Sequence, residues 1–313
     1  MVLTQSSGPV LVIGSAGMDI VGRPIDELSL GTSAPGRLRA SPGGVARNVA
    51  ENLARLGTEV VLLTAVGDDP EGRRLLTQTS DAGANIDHVL MAAGRSTGAY
   101  LAVLDGRGKL HLALDDMRAV EALTPEYLRE CRALFRGASA VFLDANLSPK
   151  TLAAAVSLAR REGVPVAADP TSVNLAPRLL PHLEDLWLIA CNEAEAEALC
   201  GQHPPQPGGE RAIDCARHLV SMGAEIAIVA MAEFGVGYAT ADESGHVPAV
   251  RTEILDPTGA GDALTAAAIF ALLNEIPIDE AVRLGVSAAA LTLRTPGTVV
   301  PNLSLELLYE QLR

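Results

Sequence analysis

The segment Asp256-Pro257-Thr258-Gly259-Ala260-Gly261-Asp262-Ala263 runs directly into alanines and leucines that read as a helix. A glycine turn opening a helix is suited to an anion. Gly259 and Gly261 permit backbone geometries that other residues resist, and the unpaired N–H groups of the first turn face outward at the positive end of the helix dipole. Asp262 in that turn has two readings. It is a carboxylate stabilised by the dipole, or a base that takes a proton from an alcohol while the neighbouring N–H groups hold the phosphoryl group the alcohol attacks. The residue types alone leave both open.

Other fingerprints of nucleotide and hydrolytic chemistry are absent from the chain. A Walker A loop needs Gly-Lys-Ser/Thr, but Lys109 precedes Leu110 and Lys150 follows Pro149. Gly14-Ser15-Ala16-Gly17 lacks the GxGxxG spacing, and Gly259-Ala260-Gly261 continues that register onto Leu264, which argues against a nicotinamide dehydrogenase. No HExxH or GxSxG occurs, so zincin and α/β-hydrolase mechanisms lose their markers.

The elements that must position these residues alternate between short β-branched runs and Ala/Leu helices, the pattern of a doubly wound, mostly parallel α/β sheet. Strands are expected at Val10 to Ile13, Val60 to Thr64, Ala140 to Leu143, Pro165 to Ala168, Leu186 to Ala190 and Glu225 to Ala230. Helices are expected at Val45 to Leu56, closed by Gly57, and at Pro149 to Glu162, Glu210 to Met222, Gly259 to Asn274, Asp279 to Leu293 and Ser304 to Gln311. Two stretches break the rhythm. Leu28 to Ala40 is rich in Gly, Ser and Pro, and Ala99 to Leu104 with Lys109 to Leu114 flank Asp105-Gly106-Arg107-Gly108 as a hairpin. They predict a small sheet outside the core, either a lid over the sheet's mouth or dimer surface, or an edge hairpin. Gln202 to Gly209 reads as a surface loop.

Composition narrows the class further. With 48% apolar and 20% charged residues over 313 positions, the chain can bury a large core and does not read as disordered. Its net charge of −14 repels phosphate backbones and anionic lipid, so neither nucleic acid nor membrane is expected as a partner. The four cysteines show no metal-ligand spacing, and no secretion signal or bilayer-length apolar run is visible, which together predict a reduced, cytoplasmic protein.

Two signatures, one near each end, resemble those of the ribokinase-like or PfkB carbohydrate kinases. Ser41 to Gly57, with Gly43-Gly44-Val45 and Arg47-Asn48, looks like the N-terminal signature, and Asp256 to Ala263 looks like the C-terminal one. Within the family the chain is similar to bacterial pseudouridine kinases, through Gly14-Ser15-Ala16 with Asp19, Pro35-Gly36, Leu75 to Thr79, Thr97 with Tyr100-Leu101, and Asp116-Met117.

The resemblance implies a single ribokinase-like domain over residues 1–313, with a lid formed by about 15–42 and 98–116. It implies an ATP- and Mg²⁺-dependent kinase that phosphorylates the 5′-hydroxyl of a ribonucleoside, pseudouridine first. Ribose, another sugar or another nucleoside is an alternative acceptor. Asp262 becomes the general base, and Gly259, Ala260 and Gly261 form the anion hole. Asp19, Gly43, Gly44 and Asn48 hold the ribose, while Thr97, Asp116 and Met117 lie at the lid toward the base. Asp169, at a strand's carboxyl end before Pro170, stands where α/β sheets place ligands, and equally where a turn is capped. Asn192 and Glu195 match an Asn-x-x-Glu element that organises magnesium and phosphate through water, and they suit a helix start equally well. Gly235 and Thr258 fall on the nucleotide side. Some relatives also carry a potassium site, here drawing on Asp256 and Thr258, and lid strands in the family often pair into homodimers.

The chain departs from the pattern in two places. Relatives usually have Thr or Ser, one residue and then Gly after the strand before the nucleotide loop, whereas this chain reads Ala230-Met231-Ala232-Glu233-Phe234-Gly235. That predicts weaker ATP binding, or compensation by another donor, and it motivates the alternative of a binding or regulatory protein with diminished catalysis. Gly17 stands where the pseudouridine-kinase pattern prefers Asn, which bears on base and sugar selectivity.

Overall fold

The computed structural model describes residues 8–25, 31–105, 110–201 and 208–312. Along the chain, β1 (Val10–Ile13) leads into β2 (Gly17–Pro24) and β3 (Gly36–Gly43), then α1 (Val45–Arg55), β4 (Val60–Leu63) and β5 (Ala65–Val66). Next come α2 (Pro70–Asp81), β6 (Leu90–Met91), β7 (Gly98–Leu104) and β8 (Leu110–Asp116). After α3 (Pro125–Glu130) and α4 (Arg132–Gly137), β9 (Ala140–Asp144), α5 (Pro149–Glu162), β10 (Val166–Asp169), β11 (Leu188–Asn192) and α6 (Glu193–Cys200) follow. The chain continues through α7 (Gly208–Ser221), β12 (Ile226–Ala230), β13 (Val236–Ala239) and β14 (Ser244–Val247), and ends on α8 (Ala260–Leu273), α9 (Ile278–Leu293) and α10 (Leu305–Gln311).

The large sheet has the order β14-β13-β12-β11-β10-β9-β1-β4. It is parallel from β4 to β12 and ends in an antiparallel hairpin. Its inner strands are apolar up to their carboxyl ends because both faces are covered. Val10 and Val12 join the core under α1 and α8, while Leu11 and Ile13 join the core on the α5 side, as a two-residue alternation requires.

The register matters most for function. Ile13 lies beside Leu63 and Leu143, Asp144 beside Asp169, and Asn192 beside Ala230, so the strands' carboxyl ends form one rim. The order in which strands are added reverses at β1, with β4 on one side and β9 on the other, and such switch points open crevices for ligands.

Over this rim stands a second, four-stranded sheet of order β3-β2-β7-β8. It is mixed, since β2 runs parallel to β7 while both outer pairs are antiparallel. The expected hairpin strands are present, although their connecting turn at 106–109 lies outside the described residues, as do residues 28–30 of the stretch Leu28 to Ala40. Of the expected loop Gln202 to Gly209, residues 202–207 lie outside them too, and Gly208 and Gly209 begin α7.

Several features differ from the sequence-based expectation. β11 starts two residues later than Leu186, since Leu186 and Trp187 still connect from the preceding helical turns. α2, α3 and α4 are not among the expected helices, though Asp69 caps α2 by accepting from Gly72 N at 2.8 Å and Pro70 opens it. β13 and β14 were likewise unexpected, being short and, in β14, only half-buried.

Candidate active site

The turn between β1 and β2 is braced from below by Asp144, the last residue of β9. Ser15 N and Oγ each donate to Asp144 Oδ2 at 2.7 Å, Ala46 N donates at 3.0 Å, and Asn146 N donates to Oδ1 at 2.9 Å. This carboxylate is fully buried. With its hydrogen-bonding capacity filled, it joins β9 to the loop after β1 and to the start of α1. Gly44 caps that helix at φ +92°, where a Cβ would stand 2.6 Å from the Cα of Ala16.

On the small sheet, β2 carries Asp19, which is only 4% exposed. A Cβ on Gly43, its β3 neighbour, would overlap the Asp19 carboxyl group, so glycine there is a requirement of close approach. Burial, reinforced by repulsion from Asp262, pushes Asp19 up to about 7, against the pull of Arg47 and Arg39.

Asp262 lies in the first turn of α8. Gly259 caps that helix in the left-handed region at φ +84°, packed so closely on the backbone of Thr298 that a side chain would overlap it. Asn48 Nδ2 donates to Asp262 Oδ2 at 2.7 Å, linking the two signature segments across 214 residues. Burial is the main cause that raises Asp262 to about 7; Asp144 and Glu195 add to it, while Asn48 and Arg47 oppose it. A carboxyl poised near neutrality and aimed into a cavity has the properties of a general base.

That cavity measures about 360 Å³ and opens between the rim and the small sheet. Asp19, Gly44, Asn48, Met117, Thr258, Gly259 and Asp262 line it, and Gly43 backs Asp19. Ala260 and Gly261 continue the turn beside it. Asp169 sits at the adjacent strand end, where its carboxylate accepts from Thr171 N at 2.7 Å. Burial and the charges of Glu195 and Asp262 raise it well above the ordinary carboxylate range. Thr171, which does line the cavity, adopts a left-handed φ of +66°, a strained conformation for a β-branched residue.

Two expected contacts are corrected by the geometry. Thr97 does not face the cavity: its hydroxyl donates to Asp69 at 2.5 Å and accepts from Gly67 N at 3.1 Å, bracing the start of α2. Asp116 points away, half exposed and paired with Arg118, which holds it down at about 2. Asp115, one residue earlier, lines the cavity together with its cross-strand partner Tyr100, because alternate residues of β8 face opposite sides.

Asn192 and Glu195 form a reciprocal capping box at the start of α6, each bond 3.0 Å long. A second cavity of about 270 Å³ opens there, lined by Asn192, Glu193, Ala194, Glu197, Ala230, Met231 and Ala232. Ala232 holds φ +41°, so the backbone keeps a glycine-like turn without the glycine. Gly235 closes that turn, with its Cβ position filled by the backbone of Val247. Asp256 is 2% exposed, pairs with Arg39 of β3 and accepts from Thr258 N at 3.0 Å. Sequence reading did not assign Asp115, Asp144, Asn146 or Thr171 to the site, and it quoted Ser15 and Arg47 only within signature segments, without a role.

Residues 9–304 match the model of the pfkB family carbohydrate kinases. The chain belongs to that family. It is 34% identical over 297 residues to pseudouridine kinase of Escherichia coli K12, covering 95% of this chain and 94% of the relative. It is 32% identical over 297 residues to guanosine-inosine kinase of Exiguobacterium acetylicum, covering 94% and 97%. The fold is ribokinase-like: Arabidopsis thaliana ribokinase, solved with ribose and ATP, superposes with a TM-score of 0.82 at 21% identity, covering 98% of this chain and 99% of that one. The protein is therefore a sugar or nucleoside kinase, an ATP-dependent phosphotransferase that acts on a hydroxyl group. Among the described residues no helix is long and apolar enough to cross a membrane.

Proposed function

We propose that this pfkB-family kinase phosphorylates the 5′-hydroxyl of a ribonucleoside, with pseudouridine as its acceptor. The observation that carries the reading is the Asp262 carboxylate, held by Asn48 at the floor of a cavity large enough for a nucleoside. Two relatives at similar identity are named as nucleoside kinases, which favours a nucleoside over a free sugar. Asp115 at the small-sheet end adds an acceptor for ring N–H groups, which uracil in a C-glycoside and purines with an N1–H both offer.

In this mechanism Asp19 and Asn48 hold the ribose hydroxyls and aim the 5′-oxygen. Asp262 takes its proton as that oxygen attacks, and the N–H groups of Gly259, Ala260 and Gly261 receive the charge of the transferring group. Asn48 steadies the carboxylate before and during the transfer.

The cavity at Asn192, Ala230 and Ala232 suits the nucleotide, and bound MgATP supplies the phosphoryl group with part of its charge neutralised. Burial and mutual repulsion raise the acids at the rim, and a hydrated divalent cation would relieve that strain. Glu195 and Asn192 would act on that cation through its ordered water. Asp256 does not fit a potassium site, since Arg39 already pairs with its carboxylate.

The described residues act as one domain in this reading, with the small sheet as the lid. Leu38, Leu101, Leu112 and Leu114 lie exposed on its outer face, which supports homodimerisation there. A monomer mass by sedimentation at micromolar concentration would exclude the dimer. Free thiols at all four cysteines suit a reducing cytoplasm.

ADP release measured with pseudouridine, guanosine, inosine, adenosine, uridine and ribose, with and without Mg²⁺, tests the assignment. Pseudouridine is expected to give the highest kcat/KM and to require Mg²⁺. Preference for ribose over every nucleoside would overturn the nucleoside reading.

A further inference from the structure

An amide can offer either its oxygen or its nitrogen, so the bond from Asn48 to Asp262 requires the Asn48 side chain to be turned one way. Its neighbour Arg47 decides this. Arg47 NH1 donates to Asn48 Oδ1 at 3.0 Å, which leaves Nδ2 to face Asp262. Arg47 is 3% exposed, and its donors also reach α2, β3 and the segment at Thr298. Nε donates to Thr79 Oγ1 of α2 at 3.1 Å, and NH1 donates to Pro42 O of β3 at 3.2 Å and to Thr298 Oγ1 at 3.4 Å. NH2 pairs with Glu51 on α1. Thr298 in turn donates to Pro42 O at 2.7 Å, and its backbone is the surface on which Gly259 rests. One buried fork thus joins the acceptor side of the site to the turn that receives the phosphoryl group.

We propose that Arg47 is a positioning residue for phosphoryl transfer, locking the Asn48 amide in the orientation that faces Asp262 and tying α1 to the Thr298 segment beneath the anion turn. The proposal rests on Asp262 being the base. It deepens that reading by assigning the orientation of the site to a residue that touches neither substrate nor reacting atoms. The other charged groups acting on Asp262 are Asp19, Asp144, Asp169 and Glu195, all acidic, and Arg47 is the cation that opposes them. Removing it therefore moves the rise of kcat with pH to higher pH as well as disturbing geometry.

The test compares Arg47→Lys, the paired Arg47→Met/Glu51→Met variant, which leaves no unpaired buried carboxylate, and Arg55→Met, which removes the outer rung of the same helix ladder. Readouts are kcat, KM for each substrate, the pH profile of kcat and the melting temperature. The paired variant should fold, lose kcat by about 10- to 100-fold with the KM for ATP unchanged, and show its acid limb displaced upward. Arg47→Lys restores the charge without the fork, so its acid limb should return toward the parent position while kcat stays low. Arg55→Met should keep the parent rate. A parent rate and unshifted limb in the paired variant would overturn the proposal, as would an equal loss in Arg55→Met. Were the paired variant not to fold, Arg47→Lys decides, and parent kcat there overturns the proposal. Asp262→Asn is run alongside. Near-parent turnover in that variant removes the base itself, whereas a large loss there with intact Arg47 variants removes only this inference.

Discussion

The two cavities along the rim are built to different standards. The one at Asp262 is preformed: buried carboxylates accept from several donors, Gly43, Gly44 and Gly259 are packed against their neighbours, and one arginine fork joins α1, α2, β3 and the Thr298 segment. The one at Asn192 has a single capping box, with Ala230 and Ala232 where a hydroxyl and a glycine would give more grip. On the proposed assignment, selectivity for the acceptor is fixed in the folded chain, while the nucleotide side would lean on backbone and on ions that arrive with the ligand. If so, substitutions in the first cavity should cost orders of magnitude, and those in the second should act gently.

Asp262→Asn is expected to produce the largest effect, a fall in kcat of about 10²- to 10⁴-fold with both KM values little changed. In the parent, kcat should rise with pH through about 7, with Asp19 and Asp262 titrating as an interacting pair. Stability moves the other way. The folded-state pKa of Asp262 lies above its unfolded value, so the folded form loses relative stability as pH rises toward 7, and above that the ionised carboxylate is a standing cost. The Asn variant should accordingly melt higher than the parent at pH 8, and the gap should shrink as pH falls toward 4. Parent-like turnover would show that the carboxylate is only a helix-start residue.

Gly43→Ala comes next. The new methyl overlaps the Asp19 carboxyl group, and overpacking of this kind costs about 1–3 kcal/mol. Asp19 must shift, so the KM for the acceptor should rise by roughly 10-fold, the binding equivalent of about 1.4 kcal/mol, while the KM for ATP stays put. An equal rise in both would mean that the two cavities are not independent.

How far the sequence reveals this arrangement depends on whether the information is local. The anion turn and Asp262 lie in one uninterrupted segment, and α5 is bounded by Ser148, Pro149 and Gly163, all local signals, so its limits are read correctly. Asp144 and Arg47 also act through distant partners that only the fold brings near: Ser15 meets Asp144 because β1 and β9 pair in register, and Arg47 meets Thr298 across 251 residues. The choice between Asp115 and Asp116 is a matter of parity. It is set by the pairing of Tyr100 with Asp115 and by the irregularity at Val103 and Leu104, which composition does not encode.

The smallest expected effect tests the gentler cavity directly. Ala232 sits at φ +41°, where an L side chain is disfavoured by about 1–2 kcal/mol and glycine is not. Ala232→Gly relieves that cost but also loosens the unfolded chain, so a net stabilisation of only a few tenths to about 1 kcal/mol is expected, read as a small rise in melting temperature. It also removes a methyl group from the wall of the Asn192 cavity, bringing backbone within reach of a bound nucleotide. The KM for ATP should fall about two- to threefold, a change worth less than about 1 kcal/mol, with the acceptor KM and the pH profile of kcat untouched. Tighter ATP binding together with altered acceptor affinity would instead mean that this turn communicates with Asp262, and the contrast between a rigid acceptor side and an adaptable nucleotide side would have to be given up.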